Sequence, residues 1–371
     1  MKAVLVTGAA GFIGKNLCAA LEHEKEIEIL RFDRKSTLEE LTAYINKAEF
    51  VFHLAGINRP KNAEEYDKGN RGLTKELMDI MLQSGKKIPV VMTSSIQAEL
   101  DNEYGKSKKA SEEELFKWSQ NGSNPAYVYR LPNVFGKWSK PNYNSVVATF
   151  CHNVANGLPI QINDRATELT LVYIDDVVSE LVSAMNGSAN LEDDGYCYVK
   201  REFKTTLQYL ADTIYSFADA RNKLVVPNFE GVFERFLFAT FSSFYSQDNF
   251  GYELAMRYDD RGWLAEFIKS NQFGQIFISR TKPGITRGNH WHNTKIEKFL
   301  VIDGDAEISF RRIFSEEVIK YQVSGQQLNV IDIPAGYTHS ITNTGNTDLI
   351  TLFWADEIFN SEKTDTYFLE V

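Results

Sequence analysis

Cysteine and histidine are scarce in this chain of 371 residues, a basic excess is missing, and no apolar run is long enough to cross a bilayer. The three cysteines (Cys18, Cys151, Cys197) are odd in number, far apart and without a C-x-x-C pair. That excludes a disulfide framework or a cysteine-ligated zinc site and points to a reducing, cytoplasmic setting. Acidic residues outnumber basic ones, 50 to 40, for a net charge of −10, so no nucleic-acid partner is expected. An anionic small ligand stays open, because a helix N-terminus or a single arginine can hold phosphate locally. No stretch approaches the roughly 18–20 apolar residues of a membrane helix. The glycines of the opening MKAVLVTGAAGFIG break it as a signal-peptide core, so no membrane partner is expected. Of only six histidines, three (His290, His292 and His339) fall in the last 82 residues.

What is present suits a globular chain: 43% hydrophobic and 24% charged residues, with length for two domains of roughly 100–200 residues each. Up to about residue 135, apolar runs (KAVLVTG, EIEILRF, FVFHLAG, IPVVMTSS, AYVYRLPNVFG) alternate with helical patterns, as βαβ units of a doubly wound parallel sheet do. After about residue 250, short strands follow one another with turns such as GD, SGQQ and NTGNTD, which predicts an antiparallel β-barrel or sandwich. The expected division is 1–245, an α/β Rossmann-like NAD(P)-binding domain, and 246–371, an all-β domain.

The first strand runs into Thr7-Gly8-Ala9-Ala10-Gly11-Phe12-Ile13-Gly14 and then a helix. Gly8 permits the tight turn, Gly11 lets backbone approach a pyrophosphate, and Gly14 allows close helix–strand packing. The free N–H groups of the following helix start, at Phe12, Ile13 and Gly14, would face the anion. Asp33 ends the second strand, where an acid receives ribose hydroxyls, while Arg34 beside it (with Arg31) could take the extra phosphate of NADP. Tyr104 and Lys108 are four apart and share a helix face, so an ammonium can lower the phenol pKa and ready it for proton exchange. A hydroxyl from the preceding strand end, Ser94 or Ser95, would bond the same oxygen.

These pieces, with HLAG (His53–Gly56), Asn70, SSIQ, RLPNVFG and LVYIDDVV, resemble the extended short-chain dehydrogenase/reductase family. The resemblance implies that Ser95, Tyr104 and Lys108 are catalytic, that Leu54, Ala55, Gly56 and Asn70 lie near the cofactor, and that Asn133 lies near the substrate. Ile96 and Gln97 replace the acid–base pair of the family's dehydratases, which leaves a reductase or an epimerase. Leu169-Thr170 replaces the usual Arg-Asp, so Arg165 or Arg130 is expected to grip the diphosphate instead.

The later constellation is Gly284-x5-His290-Trp291-His292-x4-Glu297-x6-Gly304, followed by Pro334-x-Gly336-x2-His339-x3-Asn343. His290 and His292 point to one face of a strand, and Glu297 and His339 can reach that face. Three imidazoles and a carboxylate suit one divalent metal, zinc first, with iron, manganese or nickel as alternatives. The stretch resembles the cupin fold, with Leu328 where its second motif has Gly, and Asp260-Arg261-Gly262 with Glu266 resembles cupins that epimerise deoxy-keto-sugar nucleotides. Lys298, Glu266 and Tyr337 are candidate bases.

Over its whole length the chain resembles bifunctional capsular-polysaccharide enzymes that fuse such a reductase to a metal cupin. That implies a UDP-linked 4-keto-6-deoxy sugar as substrate, NADPH as cofactor, C3 epimerisation by the cupin half, C4 reduction by the other half, and a homodimer. Rival expectations are a reductase whose cupin half only binds sugar or mediates assembly, and a non-catalytic nucleotide sensor.

Overall fold

The computed structural model describes residues 1–60, 62, 64–122 and 124–371. It divides into two compact units: Met1–Tyr215 with Glu230–Ser246, and Ser216–Phe229 with Gln247–Val371.

The first unit begins β1 (Lys2–Thr7), α1 (Phe12–Leu21), β2 (Ile27–Phe32), α2 (Leu38–Lys47) and β3 (Phe50–His53). The short α3 (Glu64–Asp67) runs into a π-turn at Lys68–Gly72, followed by α4 (Leu73–Ser84), β4 (Val90–Ser95), α5 (Glu103–Gly122) and β5 (Ala126–Leu131). The strands form one parallel sheet in the order β2-β1-β3-β4-β5. Strands buried on both faces read as continuous apolar runs, as in β1, β3 and the first half of β4, while Thr93, Ser94 and Ser95 end β4 as buried hydroxyls. Leu5, Val51, Val90 and Val128 from the sheet meet Leu77, Met81 and Leu115 from the helices. The chain winds one way from β1 to β2 and the other way to β3, which opens a crevice at the carboxyl ends of β1 and β3 where ligands of such sheets bind.

The run AYVYRLPNVFG, one strand by its pattern, is split. Pro132 has no N–H for a ladder, and beyond it β6 (Asn133–Phe135) leaves the main sheet to pair with β7 (Glu168–Tyr173), which also pairs with β8 (Phe203–Thr206). Helices α6 (Val146–Ala155) and α7 (Ile174–Met185) flank β7 in sequence, and α8 (Leu207–Asn222) and α9 (Val232–Ser242) follow β8.

The second unit contains β9 (Met256–Asp259), β10 (Gly262–Ser270), β11 (Gly274–Thr281), β12 (Thr286–Trp291), β13 (Glu297–Asp303), β14 (Asp305–Arg312), β15 (Val318–Ser324), β16 (Val330–Ile333), β17 (Tyr337–Asn343), β18 (Leu349–Ala355) and β19 (Tyr367–Phe368). Two antiparallel sheets result, β16-β13-β18-β11-β10-β9 and β15-β14-β17-β12-β19. Alternation is clean on β18, whose Leu349, Thr351, Phe353 and Ala355 are buried, and Phe299, Val301, Ile308, Phe310 and Ile341 complete the interior. Residues 216–229 belong to this unit: Val225 bridges Lys269, and Val226 N–H donates to Lys269 O at 2.8 Å.

Candidate active site and metal centre

A cavity of about 690 Å3 opens at the crevice of the first unit. Gly8, Gly11, Phe12, Ile13 and Gly14 line one wall, Leu54 and Gly56 another, and Ser95, Tyr104 and Lys108 the base. Gly8 has φ +71°, and a Cβ there would meet Ala55 N at 2.8 Å. A Cβ on Gly14 would lie 2.1 Å from the Gly8 carbonyl. The turn is therefore closed to other residues, and the N–H groups opening α1, which have no intrahelical acceptor, face the cavity wall. No acidic side chain occupies the first turn of α1 to compete for an anion. These features fit a dinucleotide pyrophosphate.

Asn70 is buried and fastens the loop after β3: its Oδ1 accepts from Ile57 N–H at 2.7 Å, and its Nδ2 donates to Ile57 O at 2.9 Å and Ser107 Oγ at 2.8 Å. Ala55 N–H donates to Thr7 Oγ1, which also bonds His53 Nδ1 at 2.8 Å, and His53 Nε2 bonds Thr74 Oγ1 at 2.9 Å. Burial, with the Lys108 charge adding to it, pulls His53 down to about 3, so it is a neutral core bridge.

The Tyr104 hydroxyl lies beside Ser95, whose Oγ accepts from Gln97 N–H at 3.2 Å, whereas Ser94 Oγ donates to the buried Glu112. Lys108 is buried and donates to Thr93 O at 2.7 Å; burial pulls it down to about 8, against the opposing Glu112 charge. The expected lowering of Tyr104 is not what this geometry gives. Burial raises the phenol, the neighbouring Ser95 hydroxyl only partly offsets this, and the Lys108 ammonium is turned to the Thr93 carbonyl.

Arg130 is committed elsewhere. Its Nη2 lies 2.8 Å from Glu112 Oε2, its Nη1 2.9 Å from Glu99 Oε1, and its guanidinium stacks 3.5 Å over Tyr196. Arg165 is an exposed loop residue that does not line the cavity. Asn133 does line it, and its Nδ2 donates to Thr170 O at 3.4 Å. Asp33 Oδ1 accepts Lys35 N–H at 2.8 Å, closing its own turn, while Arg34 lines the cavity. Sequence reasoning passed over Lys140 and Tyr143, which also line it. The signal available was Pro132, which ends β5 and sends the following segment to the cavity.

In the second unit, ligand-capable atoms of His290, His292, Glu297 and His339 all lie within 4.8 Å of one another. His290 and His339 are register partners across β12 and β17, His292 follows β12, and Glu297 opens β13 on the other sheet. His292, Glu297 and His339 are buried. The His292 ring places Nδ1 2.5 Å from the Asp365 carbonyl, which can only accept, so Nδ1 carries the proton and Nε2 a lone pair. That Nε2 lies 3.3 Å from Glu297 Oε2, and His339 Nε2 lies 3.4 Å from the same oxygen. Both nitrogens are buried and lack a hydrogen-bond partner. Lone pairs converging on a carboxylate repel unless a cation sits among them, so the donor set fits a divalent metal. Burial and the His339 charge pull His290 down to about 4, which keeps that imidazole neutral as a ligand.

Lys298, expected near this centre, lies on the opposite face of β13 and ion-pairs with exposed Asp332. Lys295 is the lysine at the centre, 3.4 Å from Glu297 Oε1 and largely buried. Glu266 pairs with Lys269 at 3.2 Å, and Tyr337 packs against the apolar interior.

The family model described as NAD dependent epimerase/dehydratase family matches residues 4–195, and that of the polysaccharide biosynthesis C-terminal domain matches residues 257–367. The chain belongs to the NAD dependent epimerase/dehydratase family and carries that second domain after it. It is 44% identical over 364 residues to the UDP-2-acetamido-2,6-beta-L-arabino-hexul-4-ose reductase of Pseudomonas aeruginosa, covering 98% of this chain and 97% of that protein. The capsular polysaccharide assembling protein CapF from Staphylococcus aureus is similar throughout, at 45% identity and TM-score 0.93, with 99% of this chain and 100% of that one covered. The UDP-glucuronic acid 4-epimerase from Bacillus cereus in complex with NAD, at 17% identity and TM-score 0.56, shares the fold of 65% of this chain and 98% of its own.

Proposed function

We propose that the chain is a two-step UDP-sugar enzyme. The C-terminal unit epimerises C3 of a UDP-2-acetamido-2,6-dideoxy-4-keto-hexose. The N-terminal unit reduces the C4 ketone with NADPH to UDP-2-acetamido-2,6-dideoxy-L-talose, on the route to UDP-N-acetyl-L-fucosamine for capsule or O-antigen. The observation that carries the reading is that Ser95, Tyr104 and Lys108 line one cavity together with the glycine turn of Gly8, Gly11 and Gly14. The relative from Pseudomonas aeruginosa, whose name is that of a 4-ulose reductase, supports it.

The nicotinamide cofactor supplies the hydride when bound. Tyr104 gives its hydroxyl proton to the C4 oxygen as that carbon is reduced, and Ser95 holds the same oxygen. Lys108, which donates to Thr93 O at 2.7 Å, brings a positive charge to the same cavity. The engaged Asp33 and the cavity-facing Arg34 support NADPH over NADH. Asn133 would contact the sugar. A divalent ion, zinc first, held by His290, His292, Glu297 and His339 would polarise a keto oxygen or brace the barrel. The 4-keto group acidifies the C3 proton, which is what an epimerase must remove and return on the other face. Exposed apolar side chains on the edge strand β15, Val318, Ile319 and Tyr321, support a homodimer, and three buried free thiols support a cytoplasmic setting.

One observation favours a second reading. Lys298 points away from the metal centre, Glu266 is paired, and no base is evident from the three candidates. In that reading the chain is a reductase or 4-epimerase whose C-terminal unit only binds sugar or mediates assembly. Full-length Tyr104→Phe protein, incubated with the UDP-4-keto sugar in D2O, distinguishes them. Deuterium at C3 with no reduced product is expected. No exchange at C3 in this variant or the wild type removes the epimerase, and undiminished reduction removes the role of Tyr104.

A further inference from the structure

The loop joining the two ligands His292 and Glu297 has four residues, and their backbone N–H groups are held by two aspartates far away in sequence. Asp365 Oδ1 accepts from Asn293 N–H at 3.0 Å. Its Oδ2 accepts from Thr294 N–H at 2.7 Å, Lys295 N–H at 3.0 Å and the Thr294 hydroxyl at 3.1 Å. Asp356 takes the fourth N–H, from Ile296, at 3.0 Å. The backbone carbonyl of Asp365 also receives His292 Nδ1–H, so one residue fixes both the ligand's ring and the loop behind it.

The segment bearing Asp365 is itself fastened to the ligand strand. In β19, Tyr367 and Phe368 pair with Trp291 and His290, and Tyr367 stacks on Trp291 with ring centroids 4.9 Å apart. Leu369 N–H donates to Asn289 O at 3.0 Å. Asn293 Nδ2 donates to the Tyr367 hydroxyl at 3.3 Å.

From these contacts we infer that Asp365 is the positioning residue of the metal centre: by gathering the N–H groups of residues 293–295 and orienting His292, it holds the His292 Nε2 lone pair on the site shared with Glu297 and His339. The inference rests on the metal reading above. A carboxylate caps three converging N–H groups far better than an amide, whose own NH2 would face them. Outer partners of this kind typically govern metal affinity by about 10–100-fold.

Zinc affinity of the full-length protein, measured by competition with a chromophoric chelator, tests it. Wild type should bind one zinc, and His292→Ala should lose it. Asp365→Ala and Asp365→Asn should each bind about 10–100-fold more weakly, with an altered visible spectrum of the cobalt-substituted protein. Asp356→Asn, which releases one N–H and leaves the ring alone, should lose less than either. NADPH binding in the other unit and the far-UV circular dichroism of the whole protein should be unchanged throughout, which reports that both units of each variant are folded. Failure of the wild type to bind zinc overturns the metal reading and this inference with it. Zinc binding abolished by His292→Ala but kept at wild-type affinity and spectrum in Asp365→Asn overturns the role of Asp365 alone.

Discussion

Ser94 and Ser95 are consecutive on β4, and their hydroxyls meet different partners: Ser94 donates to the buried Glu112, while Ser95 accepts from Gln97 N–H at 3.2 Å beside the Tyr104 phenol in the cavity. Strand alternation makes the two substitutions separable. Ser95→Ala should lower kcat for C4 reduction about 10–100-fold with little change in thermal stability. Ser94→Ala should leave kcat nearly unchanged and cost about 1–2 kcal/mol in stability, read from denaturant melts, because Glu112 loses a donor.

Lys108 gives a pH signature. Burial holds its ammonium down to about 8, so the positive charge it brings to the cavity is lost as pH rises through that value. A plot of kcat/KM for the sugar should therefore fall above about pH 8. The stability of the cofactor-free protein should move the other way. Between about 8 and the ordinary lysine range the unfolded chain binds the extra proton, so stability rises with pH across that window as the burial cost is relieved. Lys108→Met should abolish that rise, and denaturant melts at several pH values measure it.

The buried pair of Glu112 and Arg130 ties α5, which carries Tyr104 and Lys108, to β5. Glu112→Leu leaves the buried Arg130 with only the exposed Glu99 as a carboxylate partner, well short of full compensation, and should cost about 3 kcal/mol. The double variant with Arg130→Met should recover much of that loss, because apolar partners replace an unpaired charge. A double-mutant cycle on thermal melts gives the coupling.

Arg34 faces the cavity from the end of β2 while Asp33 is held in its own turn. Arg34→Ala should raise the Kd for NADPH about 10–100-fold, the usual range for a lost charged hydrogen bond, and leave NADH binding nearly unchanged. Fluorescence titration of both cofactors tests it; equal losses for the two would remove the 2′-phosphate contact.

The parts legible in the sequence were those whose chemistry is local. Gly8, Gly11 and Gly14 announce a turn that tolerates no Cβ, four-residue spacing puts Tyr104 and Lys108 on one helix face, and H-x-H puts two imidazoles on one side of a strand. What stayed hidden depends on distant partners. No local motif marks Arg130 as occupied; only the packing of α5 on β5 shows its carboxylate. Asp365 meets a loop more than seventy residues earlier, and nothing in DTYFLEV predicts that. Lys298 fails as a candidate base for a local reason: alternation along β13 turns the neighbour of an inward Glu297 outward.

Residues 216–229 leave the first unit, add Val225 beside Lys269, and are followed by a return to the first unit before residue 247 begins the barrel. During synthesis this imposes a waiting time. Val225 emerges several seconds before Lys269 at translation rates of ~5–20 residues per second, and α9 of the first unit is made in between. Neither unit can be completed before the ribosome has begun the other, so maturation of the two units is coupled from the outset by the order of the chain.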